Sequence, residues 1–455
     1  MQLPEKFCER ERLLRGEEAE ALFAALETDS PTAIRLHPQR ATAFAEEEQV
    51  PWSIGGRYLS RRPSFTLDPA FHAGAYYVQE ASSQFVGRIL RDEPIEGGRL
   101  LDLCAAPGGK STLYASLVGR EGLVVANEVD RRRLQVLADN VRKWGTGNVA
   151  VTTNDASRFE ALEEWFDVVA VDAPCSGEGM FRRLKESREE WSEAAVERCA
   201  AIQREILPSA WQALKEGGLL LYSTCTFNQT EDEGVLEAFL KEFETECVAC
   251  EPISEAEDWG VEVGRVGPFQ TYRFLPHKAR GEGFFVAVVR KAGEGPRREL
   301  RRRKGAKGGG QVLPVDRRET EELSRWMAEP EAMRFYRAGE TLYGVSRAQF
   351  EALEQLSGVL NVIYSGVALG EIFKGSLRPD WALAFSLELR RGVLPEAHLE
   401  REAALEYLRK GELRPEWFEE GFNLVLCEGH ALGFAKRIGG RVNNLYPNAL
   451  RIMNK

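Results

Sequence analysis

Two cysteines of this sequence follow predicted strands, at positions where a thiol can take part in chemistry. Cys175 lies in Asp172-Ala-Pro-Cys-Ser-Gly-Glu-Gly179, and Cys225 lies in Tyr222-Ser-Thr-Cys-Thr226. A cysteine inside a protein usually packs as a small apolar side chain and stays inert. In open parallel sheets, however, ligands bind at the carboxyl ends of the strands. We therefore expect both thiols to face one ligand cleft.

A glycine turn follows the first predicted strand, in Leu101-Asp-Leu-Cys-Ala-Ala-Pro-Gly-Gly-Lys-Ser111. Such a turn lets the backbone approach a ligand, and the next helix directs its first N–H groups toward it. Glu128, Asp155 and Asp172 stand after the following three strands. Glu128 is placed to accept hydrogen bonds from ribose hydroxyls, and Asp155 to accept one from an adenine amino group. Each acid alone is more often a helix cap or a solvated loop residue, but the ordered series predicts a nucleotide-like ligand.

Alternating strands and helices must position these residues. Apolar runs predict strands over residues 99–103, 123–127, 149–153, 167–171 and 219–223, and helices over 78–90 and 131–143. A late strand over 284–290 is expected to pair antiparallel with residues 271–274. This alternation predicts an α/β domain with a parallel sheet covered by helices.

The length of 455 residues and the 43% hydrophobic content allow two to four domains. We divide the chain into an N-terminal α+β cap that binds RNA (1–70), the α/β domain (71–292), a basic glycine-rich linker (293–311) and a C-terminal extension (312–455). Apolar residues at helical spacing, among them Leu13, Leu14 and Leu22, predict an amphipathic surface helix near the N-terminus. Without a signal-peptide pattern or an apolar run of roughly 18 residues, a cytoplasmic protein with no membrane association is expected.

Charge and cysteine usage narrow the classes of protein further. The net charge of −11 argues against indiscriminate nucleic-acid binding over the whole surface. A basic run over 296–304, followed by Lys307 and three glycines, indicates either a solvated linker or a linker that contacts RNA. The eight cysteines read as reduced thiols. Cys247 and Cys250 form a single CxxC without a second pair, so no zinc site is expected.

The leading alternative from the residues is a nucleoside triphosphate-binding protein of the P-loop type. Gly109-Lys-Ser-Thr112 follows a strand, as the end of a P-loop does. A P-loop needs a glycine six residues before its lysine, where this chain has Cys104, and Pro107 removes one phosphate-binding N–H. A dehydrogenase is weaker still, because the GxGxxG spacing is absent.

Several segments together resemble RNA 5-cytosine methyltransferases of the NOL/NOP/Sun family. They are Tyr77-Val-Gln-Glu-Ala-Ser82, Cys104-Ala-Ala-Pro-Gly-Gly-Lys110, Asn127-Glu128 with Arg133 and Asn140, Asp172-Ala-Pro-Cys-Ser-Gly177, Ser223-Thr-Cys225, Arg273-Phe-Leu-Pro-His277 and Gly283-Phe-Phe285. The resemblance spans about residues 70–291. It is greatest to the bacterial subgroup that acts on small-subunit (16S) ribosomal RNA and carries a C-terminal extension with a PUA-like RNA-binding part.

The resemblance implies a Rossmann-like fold, S-adenosylmethionine as cofactor and 16S rRNA or the small ribosomal subunit as partner, with no metal and a monomeric protein. It implies that Cys225 adds to carbon 6 of cytosine, that Cys175 assists release, that Asp172 holds the base and that Lys110 orients the groups beside it. Arg182 and Arg183 are either RNA contacts or plain surface residues. The implied cofactor-binding residues are Cys104, Ala105, Ala106, Pro107, Gly108, Gly109, Lys110, Glu128, Asp155 and Asp172.

The end of the chain is expected to form a separate, β-rich unit. Strands are predicted over 422–427, 432–438 and 441–446, and residues 424–447 are similar to a PUA-like domain. A non-enzymatic alternative is an RNA-binding assembly factor that keeps an inactive methyltransferase fold. That alternative does not account for both cysteines and Asp172 occurring together.

Overall fold

The computed structural model describes residues 2–298 and 312–453. Residues 299–311, which contain most of the predicted basic linker, lie outside the described residues. Within the described ranges no helix is long and apolar enough to cross a membrane.

The N-terminal segment combines two helices with a small antiparallel sheet. Its elements are α1 (Glu5–Arg15), α2 (Glu18–Leu26), β1 (Ala33–Leu36), β2 (Glu48–Gln49), β3 (Gly56–Tyr58), α3 (Pro69–His72) and β4 (Tyr76–Val78). The strands are ordered β2-β3-β1-β4. Because β4 pairs with β1, this sheet continues past residue 70.

The single amphipathic helix predicted near the N-terminus is wrong. Gly16, at φ +57°, ends α1 and separates it from α2. Leu13 is 87% exposed, so it does not lie on the buried face. Phe7 and Leu22 instead pack in one cluster with Phe181 of the central domain.

The central domain alternates strands and helices, as predicted. Its elements are α4 (Phe85–Leu90), β5 (Arg99–Asp102), α5 (Gly109–Val118), β6 (Leu123–Asn127), α6 (Arg131–Trp144), β7 (Val149–Thr152), β8 (Phe166–Asp172), α7 (Ser187–Glu190), α8 (Glu193–Ala213), β9 (Leu214–Thr224), α9 (Glu233–Phe243), β10 (Cys247–Val248), β11 (Glu262–Val266), β12 (Phe269–Phe274) and β13 (Phe284–Lys291). The five predicted parallel strands are confirmed, because a continuous apolar run marks a strand buried on both faces. The helix predicted over 78–90 is wrong in its first half: Val78 belongs to β4, where it pairs with Ile34.

The C-terminal extension adds two further sheets. Its elements are β14 (Leu313–Pro314), α10 (Arg317–Trp326), β15 (Met333–Ala338), β16 (Thr341–Ser346), α11 (Arg347–Ser357), β17 (Val362–Ser365), β18 (Val367–Phe373), β19 (Ser376–Pro379), β20 (Glu396–His398), α12 (Arg401–Leu408), β21 (Gly421–Cys427), β22 (His430–Ile438) and β23 (Arg441–Asn444). One sheet has the order β14-β15-β16-β18-β19, and the other the order β20-β21-β22-β23. The last three strands confirm the predicted ones.

The central sheet has ten strands, in the order β11-β12-β13-β9-β8-β5-β6-β7-β17 with β10 beside β13. Strands β5 to β9 are parallel, and β13 joins β9 antiparallel, with β12 beyond it. From β5 the chain moves outward to β6 and β7, and it returns through β8 on the other side of β5. The order therefore reverses between β5 and β8, where a ligand crevice is expected.

The C-terminal extension is not a separate unit, contrary to the prediction. β17 pairs antiparallel with β7, with Ser365 opposite Ala150, and Leu356 and Leu360 belong to a core cluster of the central domain. An edge strand leaves a row of N–H and C=O groups unpaired. β17 pairs those groups of β7, so the extension completes the central sheet.

Candidate active site

The loops that carry the candidate residues start at neighbouring strand ends. β8 ends at Asp172 and β9 ends at Thr224, and Asp172 lies in register with Ser223. β5, which ends at Asp102, flanks β8 on the other side. Since all three strands are parallel, their following loops meet at one edge of the sheet.

The thiols of Cys175 and Cys225 are brought together at this edge. Their Sγ atoms are 3.1 Å apart, and the backbone N–H of Cys225 donates to Cys175 Sγ at 3.3 Å. Both are free thiols that remain partly accessible. The hydrogen bond with Cys225, together with burial, raises the pKa of Cys175 well above its ordinary value. Cys175 therefore keeps its proton at neutral pH.

Lys110, in the first turn of α5, forms an ion pair with Asp172. Its Nζ lies 2.8 Å from Asp172 Oδ2, and Ser223 Oγ donates to Asp172 Oδ1 at 2.9 Å. Burial lowers the pKa of Lys110, but Asp172 outweighs that effect and the pKa is raised overall. Cys225 also contributes to raising it, so the ammonium lies within electrostatic reach of that sulfur.

The glycine turn keeps its shape through backbone conformation and side-chain anchors. Gly108 has φ +105°, a conformation that glycine adopts without strain, and Gly109 begins α5. Asn140 Nδ2 donates to Pro107 O at 2.8 Å. The turn is thereby fixed against α6.

Arg35 supports the glycine turn from outside it, a role that the sequence patterns did not reveal. It comes from β1 of the N-terminal segment, is 4% exposed, and donates to Gly109 O at 3.2 Å and to Thr112 Oγ1 at 2.6 Å. Its guanidinium also lies 4.4 Å from the centre of the Trp144 ring. The cap therefore supports the turn directly.

Two buried carboxylates beside the turn each keep one oxygen unpaired. Asp102 Oδ2 accepts from Ser111 Oγ at 2.6 Å, and Glu128 Oε1 accepts from the N–H of Asp130 at 2.9 Å. Asp102 Oδ1 and Glu128 Oε2 have no hydrogen-bond partner within the described part of the chain, although Arg133 Nη1 lies 3.5 Å from Glu128 Oε2. Burial raises the pKa of Asp102 to about 7. A buried polar atom without a hydrogen bond is costly, so a donor group of a ligand at Asp102 Oδ1, or at Glu128 Oε2 beside Arg133, would be stabilising.

The remaining predicted residues take less specialised positions. Ala105 and Ala106 are buried in the turn. Burial raises the pKa of the Cys104 thiol far above its usual range, which makes it a poor nucleophile. Asp155 caps a short 3-10 helix and accepts from the N–H and Oγ of Ser157 at 3.0 and 2.7 Å, so its contact with adenine stays a prediction.

Arg182 and Arg183 lie beside the N-terminal segment. Arg182 donates to the carbonyl of Gly281 at 3.0 Å and to Oγ1 of Thr28 at 2.7 Å, and Arg183 lies 3.9 Å from a carboxylate oxygen of Glu282. These contacts give both arginines structural partners, and a role in RNA binding stays a prediction.

The sequence patterns also did not indicate a buried polar network behind the cysteines. Glu231 Oε2 accepts from the N–H of Ser176 at 2.9 Å. Asn228 Nδ2 donates to Glu231 Oε1 at 2.7 Å and to Thr226 Oγ1 at 2.8 Å. The network links the loop after Cys175 to the loop after β9. Three of its residues, Thr226, Asn228 and Glu231, follow Cys225 closely, but nothing in their types alone indicated that they would form hydrogen bonds with one another.

No group of three or more His, Cys, Asp or Glu side chains that could hold a metal ion occurs in residues 2–298 and 312–453. Cys247 and Cys250 are free thiols.

Three family models match separate parts of the chain. The 16S rRNA methyltransferase RsmB/F model matches residues 89–290, the model of the N-terminal domain of 16S rRNA methyltransferase RsmF matches residues 3–81, and the methyltransferase RsmF PUA domain model matches residues 395–452. The chain is 35% identical over 415 residues to ribosomal RNA small subunit methyltransferase F of Aeromonas hydrophila, covering 89% of this chain and 85% of that protein. It is 33% identical over 422 residues to the protein of the same name from Aeromonas salmonicida, with the same coverage.

Solved structures show the same fold. A methyltransferase homolog protein from Pyrococcus horikoshii is 29% identical, with a TM-score of 0.53 over 63% of this chain and 95% of its own. NSun6 from Pyrococcus horikoshii, solved with SFG, has a TM-score of 0.54 at 22% identity, over 64% of this chain and 99% of its own. The second similarity concerns the fold alone.

Proposed function

The chain belongs to the family of S-adenosylmethionine-dependent small-subunit ribosomal RNA methyltransferases F, and on that premise we propose that it forms 5-methylcytosine in 16S rRNA through a covalent adduct with Cys225. The family membership confirms the resemblance that the sequence motifs indicated. The observation that carries the cytosine-5 chemistry is the thiol pair of Cys175 and Cys225, 3.1 Å apart, beside the Lys110–Asp172 ion pair.

The residues of the crevice fit S-adenosylmethionine, which supplies the methyl group when it is bound. The unpaired Oδ1 of Asp102 suits its ammonium group, and the unpaired Oε2 of Glu128 suits a ribose hydroxyl. The described part of the chain offers no donor to Asp102 Oδ1, and the nearest cationic group to Glu128 Oε2 is Arg133 Nη1 at 3.5 Å. The glycine turn between Cys104 and Lys110 leaves room for the backbone to approach the ligand.

Cys225 begins the reaction, because carbon 5 of cytosine is too weak a nucleophile by itself. The Cys225 thiol loses its proton to solvent, and its sulfur forms a bond to carbon 6. The electron pair of the double bond between carbons 5 and 6 then makes carbon 5 nucleophilic. Carbon 5 takes the methyl group from the sulfonium sulfur of S-adenosylmethionine; the bond between that sulfur and the methyl group breaks, and its electron pair stays on the sulfur. Forming a covalent adduct divides one difficult step into easier ones.

Cys175 completes the reaction by taking the proton from carbon 5. Its pKa is raised chiefly by the hydrogen bond with Cys225, and that bond is lost once the Cys225 sulfur is joined to carbon 6. Cys175 can then ionise and accept the proton. The electron pair left behind re-forms the double bond, and Cys225 leaves as a thiolate.

Asp172 and Lys110 place the base and balance charge during these steps. Asp172 stands between the turn and the cysteines, where it can accept a hydrogen bond from the amino edge of cytosine. The Lys110 ammonium stabilises negative charge on the Cys225 sulfur. The target cytosine must leave the base stack to reach this pocket.

The part of the chain that matches the PUA model supports RNA binding. Residues 395–452 contain the sheet β20-β21-β22-β23, and we assign to this part the selection of the RNA substrate. We also propose that the protein acts as a monomer, which sedimentation equilibrium tests directly.

The decisive experiment compares two cysteine variants on 16S rRNA with S-adenosylmethionine. In Cys175→Ala the nucleophile remains and the base is lost, so a covalent protein–RNA adduct that resists denaturing electrophoresis is expected to accumulate. Cys225→Ala is expected to form neither adduct nor methylated RNA. Normal turnover by Cys225→Ala, or no adduct with Cys175→Ala, would contradict the proposal.

A further inference from the structure

The carboxylate of Glu178 is buried where the loop after β8, which carries Cys175, contacts the loop after β9, which carries Cys225. We call these the two cysteine loops. Its side chain is 0% exposed. Glu178 Oε2 accepts from the backbone N–H of Phe227 at 2.9 Å, and Oε1 accepts from Trp191 Nε1 at 2.9 Å. Glu178 follows Cys175 by three residues, and Phe227 follows Cys225 by two. One side chain of the first loop therefore holds the backbone of the second.

A backbone contact brings the same two loops together closer to the sulfurs. The N–H of Gly179 donates to the carbonyl of Cys225 at 2.9 Å. A Cβ added to Gly179 would lie 2.5 Å from the carbonyl oxygen of Gly283, so the backbone around Gly179 has little freedom to move. The position of Cys225 relative to Cys175 thus depends on how residues 178 and 179 are held.

The charge of Glu178 is balanced by a residue of the N-terminal helix. Arg10 Nη1, on α1, donates to Glu178 Oε1 at 2.7 Å, and Arg10 also donates to the buried carboxylate of Glu11. On the same face of α1, the Phe7 ring lies 5.1 Å from the ring of Phe181 and 6.4 Å from that of Phe227. Helix α1 therefore touches both cysteine loops through one ion pair and one aromatic cluster.

We infer that Arg10 and Glu178 are positioning residues that keep the two cysteine loops in register, so that the thiol geometry depends on the N-terminal helix. The inference rests on the proposed function, in which both thiols must reach one cytosine. A carboxylate buried this deeply needs a partner of opposite charge. Without Arg10, the buried Glu178 carboxylate has lost its charged partner and is expected to turn toward water, which loosens its bond to the N–H of Phe227.

The test compares Arg10→Met with Arg10→Lys, which keeps the charge, and with Arg12→Met as a matched control. Arg12 lies on the same helix but pairs at the surface with Glu20. We expect Arg10→Met to lower kcat at least tenfold while KM for S-adenosylmethionine changes less than twofold. Arg10→Lys is expected to recover most of kcat, and Arg12→Met to match the unsubstituted protein.

A second measurement reports on the thiols without methyl transfer. The rate of Cys225 alkylation by iodoacetamide is followed against pH, with the Cys225 peptide resolved by mass spectrometry. A shifted pH profile in Arg10→Met, and not in Arg12→Met, supports the inference. This readout needs no RNA, so it tests the role of Arg10 even if the unsubstituted protein neither methylates RNA nor forms an adduct. That last result would count only against the proposed function.

A double variant tests whether Arg10 and Glu178 act together. If Arg10 and Glu178 act together, the double variant Arg10→Met/Glu178→Gln loses no more activity than the worse of the two single variants. Losses that multiply would overturn the inference. So would an Arg10→Met protein whose lost activity equals its unfolded fraction, measured by urea denaturation, with an unchanged alkylation profile.

Discussion

The pKa of Asp102 leads to a specific pH dependence of cofactor binding. Asp102 is fully buried, and burial raises its pKa to about 7 in the free protein, with Glu128 and Asp172 adding to the rise and Ser111 and Lys110 opposing it. Its unpaired Oδ1 is the atom to which we assign the cofactor's ammonium group. Such an ion pair requires the carboxylate, so a protonated Asp102 must lose its proton when the cofactor binds.

This requirement sets the direction and the size of the change in cofactor affinity with pH. With a pKa of about 7, roughly half of the molecules carry the carboxylate at pH 7 and about one in thirty at pH 5.5. Affinity is proportional to that fraction, so Kd for S-adenosylmethionine is expected to rise about 15-fold as the pH falls from 7 to 5.5. An acid with an ordinary pKa in the free protein would give almost no change over this interval.

Isothermal titration calorimetry at several pH values between 5.5 and 7 measures this dependence. Repeating each titration in two buffers of different ionisation enthalpy counts the protons released, which is expected to approach one at the acidic end. Asp102→Asn is the control, with weaker but pH-independent binding. A change in Kd of less than twofold for the unsubstituted protein, or the same slope for Asp102→Asn, would refute the assignment of Asp102 to the cofactor's ammonium group. Circular dichroism at each pH confirms that both proteins remain folded.

Three further outcomes are expected. Lys110→Met removes the charged partner of Asp172, a contact worth about 1.5–3 kcal/mol. We therefore expect kcat to fall about 10- to 100-fold in a radiolabelled methyl-transfer assay. Leu356→Ala opens a cavity in the core that α11 shares with the central domain. Urea denaturation is expected to show that the free energy of unfolding falls by about 2–5 kcal/mol. A fall of less than about 1 kcal/mol would mean that the extension does not stabilise that core. Truncation after residue 394 is expected to weaken RNA binding in a filter-binding assay with cofactor affinity retained, whereas truncation after residue 311 also removes β17 and is expected to lower the unfolding temperature.

Local patterns in the sequence were sufficient to predict the five parallel strands of the central sheet and the loops that follow them. The strands of the parallel sheet are continuous apolar runs, and a run buried on both faces is a local signal. The glycine turn, Asp172 and the two cysteines could be placed at strand ends for the same reason. The helix predicted over 78–90 failed because Val78 pairs with Ile34 in a strand more than 40 residues away, and helical spacing does not record such a partner.

What the sequence determined by itself is the set of candidate reactive groups and the strand ends at which they lie, because the succession of strands and loops along the chain follows from short apolar and glycine patterns. The tertiary structure decided the distances: the 3.1 Å between the two sulfurs, the support of Gly109 by Arg35, the pairing of Arg10 with Glu178 and the addition of β17 to the central sheet. Each of these contacts joins segments 50 or more residues apart. They form only when the burial of apolar surface has brought those segments together, so no local pattern of residues encodes them.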